Sequence, residues 1–128
     1  MRCKILGAGV SGLSCAIKFL KADIGVEILS KSRSPNTVSD TAAAVWYPFL
    51  VEPVEKTDKW SVETYFELIR LMENFPEAGI TMRKGREYLR EIRPPPGWSK
   101  DIKHFRILED VEIPNEYIFG WEFEVPVI

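Results

Sequence analysis

One histidine and two cysteines in 128 residues are too few for a zinc site, a catalytic triad or a disulfide framework. His104, between Lys103 and Phe105, has no sequence partner and is expected on the surface. Cys3 and Cys15 read as small core residues rather than reactive thiols. An excess of positive charge is also missing. Seventeen Lys and Arg are interspersed with 19 Asp and Glu, for a net charge of −2 and a pI near 5.5. That balance excludes a nucleic-acid surface. No apolar run is long enough to span a membrane, and Leu6 to Leu20, broken by glycines and Lys18, is not a signal peptide. Internal repeats and low-complexity tracts are absent. A cytoplasmic, soluble protein is expected, and 45% hydrophobic content suffices for a core.

The glycines that are present are placed with purpose. Cys3-Lys4-Ile5-Leu6 reads as a buried parallel strand, and it runs into Gly7-Ala8-Gly9-Val10-Ser11-Gly12. Val10, Leu13, Ile17 and Leu20 then recur at helical spacing, and Ile24 to Leu29 supplies a second strand. The order is β-α-β with G-x-G-x-x-G at its first turn. Gly7 makes the tight turn, Gly9 lets backbone approach a pyrophosphate, and Gly12 lets helix and strand pack closely. Phosphates would face the helix N-terminus, where free N–H groups and the dipole stabilise negative charge. The fold class expected is α/β, Rossmann-like and incomplete.

The acid that commonly binds a ribose 2′-hydroxyl about twenty residues beyond the glycines is absent. The second strand ends in Ser30-Lys31-Ser32-Arg33, and Glu27 comes too early. Local charge leaves two readings open. One is an NADP site with Lys31 or Arg33 on the 2′-phosphate; the other is a flavin site held by Ser30, Lys31 and backbone.

Beyond this strand comes Pro35-Asn36-Thr37-Val38-Ser39-Asp40-Thr41-Ala42-Ala43-Ala44-Val45-Trp46-Tyr47-Pro48-Phe49. A hydroxyl-rich turn, an Asp-x-Ala-Ala segment and an aromatic-x-Pro-aromatic end in this order resemble the D-amino-acid oxidase and D-aspartate oxidase family of flavoenzymes. Hydroxyls of Thr37 and Ser39 can donate to phosphate and cap a helix, and small alanines let backbone lie against a flat ring. The resemblance continues through Asp58-Lys59-Trp60-Ser61, the Pro-rich turn ending in Trp98 and the aromatic last strand. It implies FAD as cofactor, with Gly7, Ala8, Gly9, Val10, Ser11 and Gly12 at the pyrophosphate and adjoining ribose. It implies Lys31 and Ser32 beside the adenosine, Thr37, Val38 and Ser39 on the phosphate and ribityl side, and Ala43, Ala44 and Val45 against the isoalloxazine. Tyr47 falls on the substrate side of the flavin. The implied reaction of an intact enzyme is oxidative deamination of a small-molecule D-amino acid with release of hydrogen peroxide. No acid, base or metal ligand is nominated.

The remainder reads as scaffold. Val62, Tyr65, Phe66, Ile69, Met72 and Phe75 trace the buried stripe of a helix that starts at Asp58 or Ser61 and ends before Pro76. Glu52 to Lys59 is expected as a solvated loop, Ile80 to Arg90 as a strand with a turn or bulge at Gly85, and Arg93 to Trp98 as a stiff connector. Tyr117, Phe119, Trp121, Phe123 and Val125 alternate with Ile118, Gly120, Glu122 and Glu124. The last strand is therefore expected as an exposed edge, open to homodimer formation. Residues 1–78 are assigned to an FAD-binding portion and 79–128 to antiparallel strands at the start of a substrate domain. Family members are longer, so a fragment without oxidase activity of its own is expected.

Overall fold

A computed structural model describes all residues from Met1 to Ile128. Contacts divide the chain into two compact units, Met1–Ala43 and Ala44–Ile128.

In the first unit, β1 (Arg2–Leu6) and β2 (Gly25–Leu29) pair in parallel, from Arg2↔Gly25 to Leu6↔Leu29, with helix α1 (Val10–Lys21) between them in sequence. Expected complete burial of the first strand is not found. Ile5 is buried, Cys3, Val26 and Ile28 are half-buried, and Lys4 and Glu27 meet on the open face at 3.5 Å. A single helix covers a single face, so the strands alternate. The helix is also turned away from its expected stripe. Ala16 is buried, whereas Val10, Leu13, Ile17 and Leu20 are 42–62% exposed. Gly12 sets that orientation. A Cβ there would lie 2.2 Å from the Gly7 carbonyl oxygen and 3.4 Å from Ile5 Cγ2, so the face through Gly12 and Ala16 is the one that approaches closely. Cys15 is exposed as a consequence, not a core residue. A short helix, α2 (Val38–Thr41), completes this unit.

The second unit packs helix α3 (Val54–Asn74) on an antiparallel sheet of β3 (Thr81–Leu89), β4 (Phe105–Ile107) and β5 (Phe119–Val127), in the order β3-β5-β4. Its last strand is not an edge. Phe119 to Val127 pairs with β3 along its full length, and Phe123 to Trp121 pairs with β4 on the other side. Both of its backbone edges are engaged, and the aromatic alternation reflects one face on the core. Gly85 forms no bulge. It sits opposite Phe123, whose ring would lie 2.7 Å from an added Cβ, so the glycine makes room for the aromatic.

Helix α3 begins at Val54, earlier than expected, and its first turns take in the Glu52 to Lys59 segment read as loop. Buried Thr57 explains the early start, because its N–H and its hydroxyl both donate to the Pro53 carbonyl, each at 3.1 Å. The helix stops at Asn74, before Pro76, as the sequence reading has it. Thr57, Tyr65 and Ile69 are buried, while Phe66 and Phe75 remain 50% and 44% exposed. The core gathers Trp46, Tyr65, Ile69, Trp98, Trp121, Phe123 and Val125. Trp46 lies 5.2 Å from Tyr65 and 5.3 Å from Trp98 between ring centroids, in tilted and edge-on arrangements that suit the ring quadrupoles.

The sequence reading divides the chain at residue 78, after the long helix, whereas the compact units divide at Ala43. Tyr65 and Ile69 bury against residues of the antiparallel sheet, and this packing ties the helix to the strands C-terminal to it. No helix is long and apolar enough to cross a membrane.

Candidate functional site

The glycine loop is built as its sequence demands. Gly7 has φ +103°, a conformation that side chains rarely adopt, and its N–H donates to Leu29 O at 2.8 Å. This bond ties the turn to the end of β2. Gly9 is the N-cap of α1 and has no side chain with which to cap it. The missing acceptor comes from elsewhere: Ser39 Oγ accepts the Val10 N–H at 3.0 Å. Predicted Gly9, Val10 and Ser39 are thus brought together, with a Cβ at Gly9 placed 2.8 Å from Ser39 Oγ. The N–H groups of Ser11 and Gly12 precede the first intrahelical bond, Leu13 N to Gly9 O at 3.0 Å, and are the free donors of the helix end.

The hydroxyl turn around α2 is organised by Asp40. Its carboxylate accepts the Thr37 N–H at 2.8 Å, the Thr37 hydroxyl at 2.5 Å and the Ser34 hydroxyl at 2.7 Å. Those donors, the Thr37 hydroxyl foremost, hold the Asp40 carboxyl below its usual range. Thr37 therefore spends its proton inside the turn. Ser39, whose oxygen accepts from Val10, keeps its own proton out of the turn's hydrogen bonds. Val38 is 85% exposed. Lys31 is exposed and Ser32 half-buried, with the Ser32 carbonyl accepting from the Ser30 hydroxyl at 2.5 Å. Ala8 is half-buried and Ala43 exposed.

In the second unit, Ala44 pairs with Ile128 through two bonds of 3.2 and 2.9 Å, and Trp46 N–H donates to Pro126 O at 2.9 Å. Alternation along this extended segment turns the N–H and C=O of Val45 to the opposite side, with its side chain 57% exposed. Tyr47 is half-buried, its ring stacked 5.1 Å from that of Phe123. Its hydroxyl donates to Glu87 Oε2, and Glu87 Oε1 accepts from Arg93 Nη2 at 2.9 Å. Burial foremost, then the Glu87 carboxylate, pushes the Tyr47 hydroxyl well above the ordinary phenol range. Trp121 opposes that shift, although its buried indole N–H makes no hydrogen bond. Arg93 lies 5.3 Å over the Trp121 ring.

A charged cluster on the other face of the sheet is absent from the sequence reading. Glu122, only 8% exposed, accepts from Arg86 Nε at 2.8 Å and Arg106 Nε at 3.2 Å, and lies 3.2 Å from His104 Nε2. Glu112 accepts from Arg106 at 2.6 and 2.8 Å and from Arg86 at 3.0 Å. Arg106 above all holds Glu112 down to about 2, and Arg86 above all holds Glu122 there. His104 is thus a partner in a network rather than an isolated surface group. The only signal for it lies in register: Arg86 and Arg106 flank Glu122 on its two neighbouring strands, so the cation-anion-cation row appears once pairing is known.

Comparison with known proteins agrees with the family resemblance of the sequence. No family model matches the chain. It is 35% identical over 127 residues to a D-amino-acid oxidase of Rubrobacter xylanophilus, covering 98% of this chain and 39% of the relative. It is 38% identical over 123 residues to a D-amino-acid oxidase of Dictyostelium discoideum, covering 94% and 36%. A human D-aspartate oxidase is 28% identical over 132 residues, covering 95% and 39%. The chain spans under two fifths of the length of these curated relatives. Over nearly its whole length, the chain is similar to an N-terminal portion of the D-amino-acid oxidase family.

Proposed function

We propose that this chain is the FAD-binding N-terminal part of a D-amino-acid oxidase-like flavoenzyme. The observation that carries the reading is the lock between glycine loop and hydroxyl turn, the Val10 N–H bond to Ser39 Oγ at 3.0 Å. The loop fits a pyrophosphate. Gly12 leaves 2.2 Å where a Cβ would meet backbone, Gly7 holds its positive φ beside open space, and the Ser11 and Gly12 N–H groups stand free at the helix end. In this reading Gly7 to Gly12 hold the pyrophosphate, and Ser39 donates its free proton on the phosphate side. Lys31 and Ser32 flank the adenosine. Thr37 and Val38 shape the turn, with Asp40 fixing Thr37. Ala43, Ala44 and Val45 present small or backbone surface to the isoalloxazine, and Tyr47 contacts the substrate.

FAD, when bound, supplies the two-electron acceptor for oxidation at the α-carbon of a D-amino acid. The overall reaction gives an imino acid, which hydrolyses to the keto acid, with oxygen reduced to hydrogen peroxide. Residues 1–128 supply binding and orientation, and none is assigned as acid or base. In this reading the FAD-binding portion of the whole protein runs over residues 1–78 and the substrate domain opens at 79, with α3 packed on the strands that follow it.

The test is a parallel titration of the chain with FAD and NADP, reading flavin fluorescence and thermal stability, because a ligand that binds only the native state raises stability. Saturable FAD binding, weakened by Ser39→Ala and without an NADP effect, is expected. NADP binding that Lys31→Ala and Arg33→Ala selectively weaken would replace this reading with a reductase module. Binding of neither would remove the cofactor assignment from this chain.

A further inference from the structure

Trp121 is 1% exposed, and its indole N–H is the one buried side-chain polar group that makes no hydrogen bond. A buried donor left unpaired is uncommon and calls for an acceptor. Trp121 lines a cavity of about 600 Å³ in the second unit, between the start of α3, the end of β3 and the proline loop. The indole acts on the Tyr47 hydroxyl without bonding to it, so its N–H lies against the wall that Tyr47 forms. Tyr47 itself is held by Glu87, to which its hydroxyl donates.

The rest of the lining narrows what the acceptor can be. Its carboxylates are Glu52, Asp58 and Glu87, against the single guanidinium of Arg93. Arg93 is spent on Glu87 at 2.9 Å and on the face of the Trp121 ring. Glu52 and Asp58 form no ion pair. Asp58 is packed under the proline loop, because a Cβ at Gly97 would collide with its Oδ2 and the glycine lets the loop close on this carboxylate. Uncompensated carboxylates repel an anionic acceptor and themselves require donors. An ammonium group would supply donors and leave Trp121 orphaned. A neutral group that carries a carbonyl oxygen beside N–H donors satisfies both walls, and that group is a carboxamide. Exposed Phe49, Leu50 and Val54 give the cavity an apolar side, and its volume suits a small ligand.

We propose that this cavity binds a primary carboxamide carried on a short aliphatic chain. The carbonyl oxygen accepts the Trp121 N–H as the Tyr47 hydroxyl turns aside, the amide N–H groups donate to Asp58 and Glu52, and the apolar side covers the methylenes. The site stands whether or not the chain binds FAD.

The test tracks the Trp98 and Trp121 indole N–H resonances of the 128-residue chain during titration with pentanamide, methyl pentanoate, n-pentylamine and pentanoate. Pentanamide should bind saturably and move the Trp121 indole proton downfield, as a newly made hydrogen bond does. Methyl pentanoate keeps the carbonyl and loses the donors, and should bind about tenfold more weakly, the size of one hydrogen bond to a charged group. n-Pentylamine should leave the Trp121 proton in place, and pentanoate should produce no saturable shift. Trp121→Phe, read through Trp98, should weaken pentanamide about tenfold. Asp58→Asn leaves the indole untouched and should weaken pentanamide severalfold with methyl pentanoate unchanged. Binding of pentanoate or n-pentylamine as tight as that of the amide, saturation without movement of the Trp121 proton, or no effect of Asp58→Asn would overturn the proposal. Absence of any saturable shift with pentanamide would overturn it as well.

Discussion

Replacing Gly12 by alanine should damage the first unit more than the same change at Gly9, although both lie in one loop and neither has a positive φ. The difference is in what the new methyl meets. At Gly12 it meets the Gly7 carbonyl oxygen at 2.2 Å, more than an ångström inside ordinary contact, and backbone cannot rotate away. The turn must open or α1 must withdraw from β1. Overpacking of this kind costs about 1–3 kcal/mol. The gain in helix propensity, up to about 1 kcal/mol, opposes it but is smallest in the first turn. At Gly9 the methyl meets only Ser39 Oγ at 2.8 Å, and that hydroxyl can turn aside. The loss there is the bond to Val10 N–H, about 1 kcal/mol.

Two consequences can be measured by amide hydrogen exchange of α1, which reads the opening free energy of this unit separately from the second. Gly12→Ala should lower protection more than Gly9→Ala. In a Ser39→Ala background, Gly9→Ala should cost little more, because the bond it breaks is already gone; the two changes are then non-additive by nearly the whole value of that bond. Equal effects at Gly9 and Gly12, or full additivity of Gly9→Ala with Ser39→Ala, would refute the account of the loop.

The second unit gives further expected outcomes. Trp98 is 2% exposed among Trp46, Tyr47, Phe105 and Phe123, so Trp98→Ala should destabilise this unit by about 3–5 kcal/mol in urea unfolding. Glu112 and Glu122 titrate near 2 when folded against an ordinary 4.5, so their stabilising effect is complete above about pH 4.5 and is lost as pH falls toward 2. Glu122→Gln should flatten that acid limb, and an unchanged limb would count against the network. Tyr47 is shifted upward, so its contribution is full below pH 10 and declines as pH rises through its folded value. Ultraviolet titration should find one tyrosine ionising later than the others, and Glu87→Gln should bring it down.

Features that depend on neighbours along the chain were legible in the sequence. The glycine loop, the β-α-β order and the end of α3 before Pro76 are local, because a turn, a hydroxyl cap or a proline acts within a few residues. Ser39 stands out in the sequence as a hydroxyl of the turn, but its partner in the structure, the Val10 N–H, lies 29 residues away. The buried face of α1 is not local in this way. Which face of a periodic helix is buried depends on what covers it, and for α1 the absent Cβ of Gly12 outweighs the apolar stripe of Leu13, Ile17 and Leu20.

The charged groups show the same limit more sharply. Tyr47 and Glu87 are 40 residues apart, and Arg86 and Glu122 are 36 apart. One shift of register between β3 and β5 would place Glu87 and Arg86 on each other's faces, dissolving both the Tyr47 pair and the Glu122 network. Neither arrangement exists as a sequence pattern. Packing fixes the register: Gly85 must stand opposite the Phe123 ring, since any Cβ there would lie 2.7 Å from it. A structural glycine in mid-strand thus decides, through strand pairing, where the carboxylates of this unit can act.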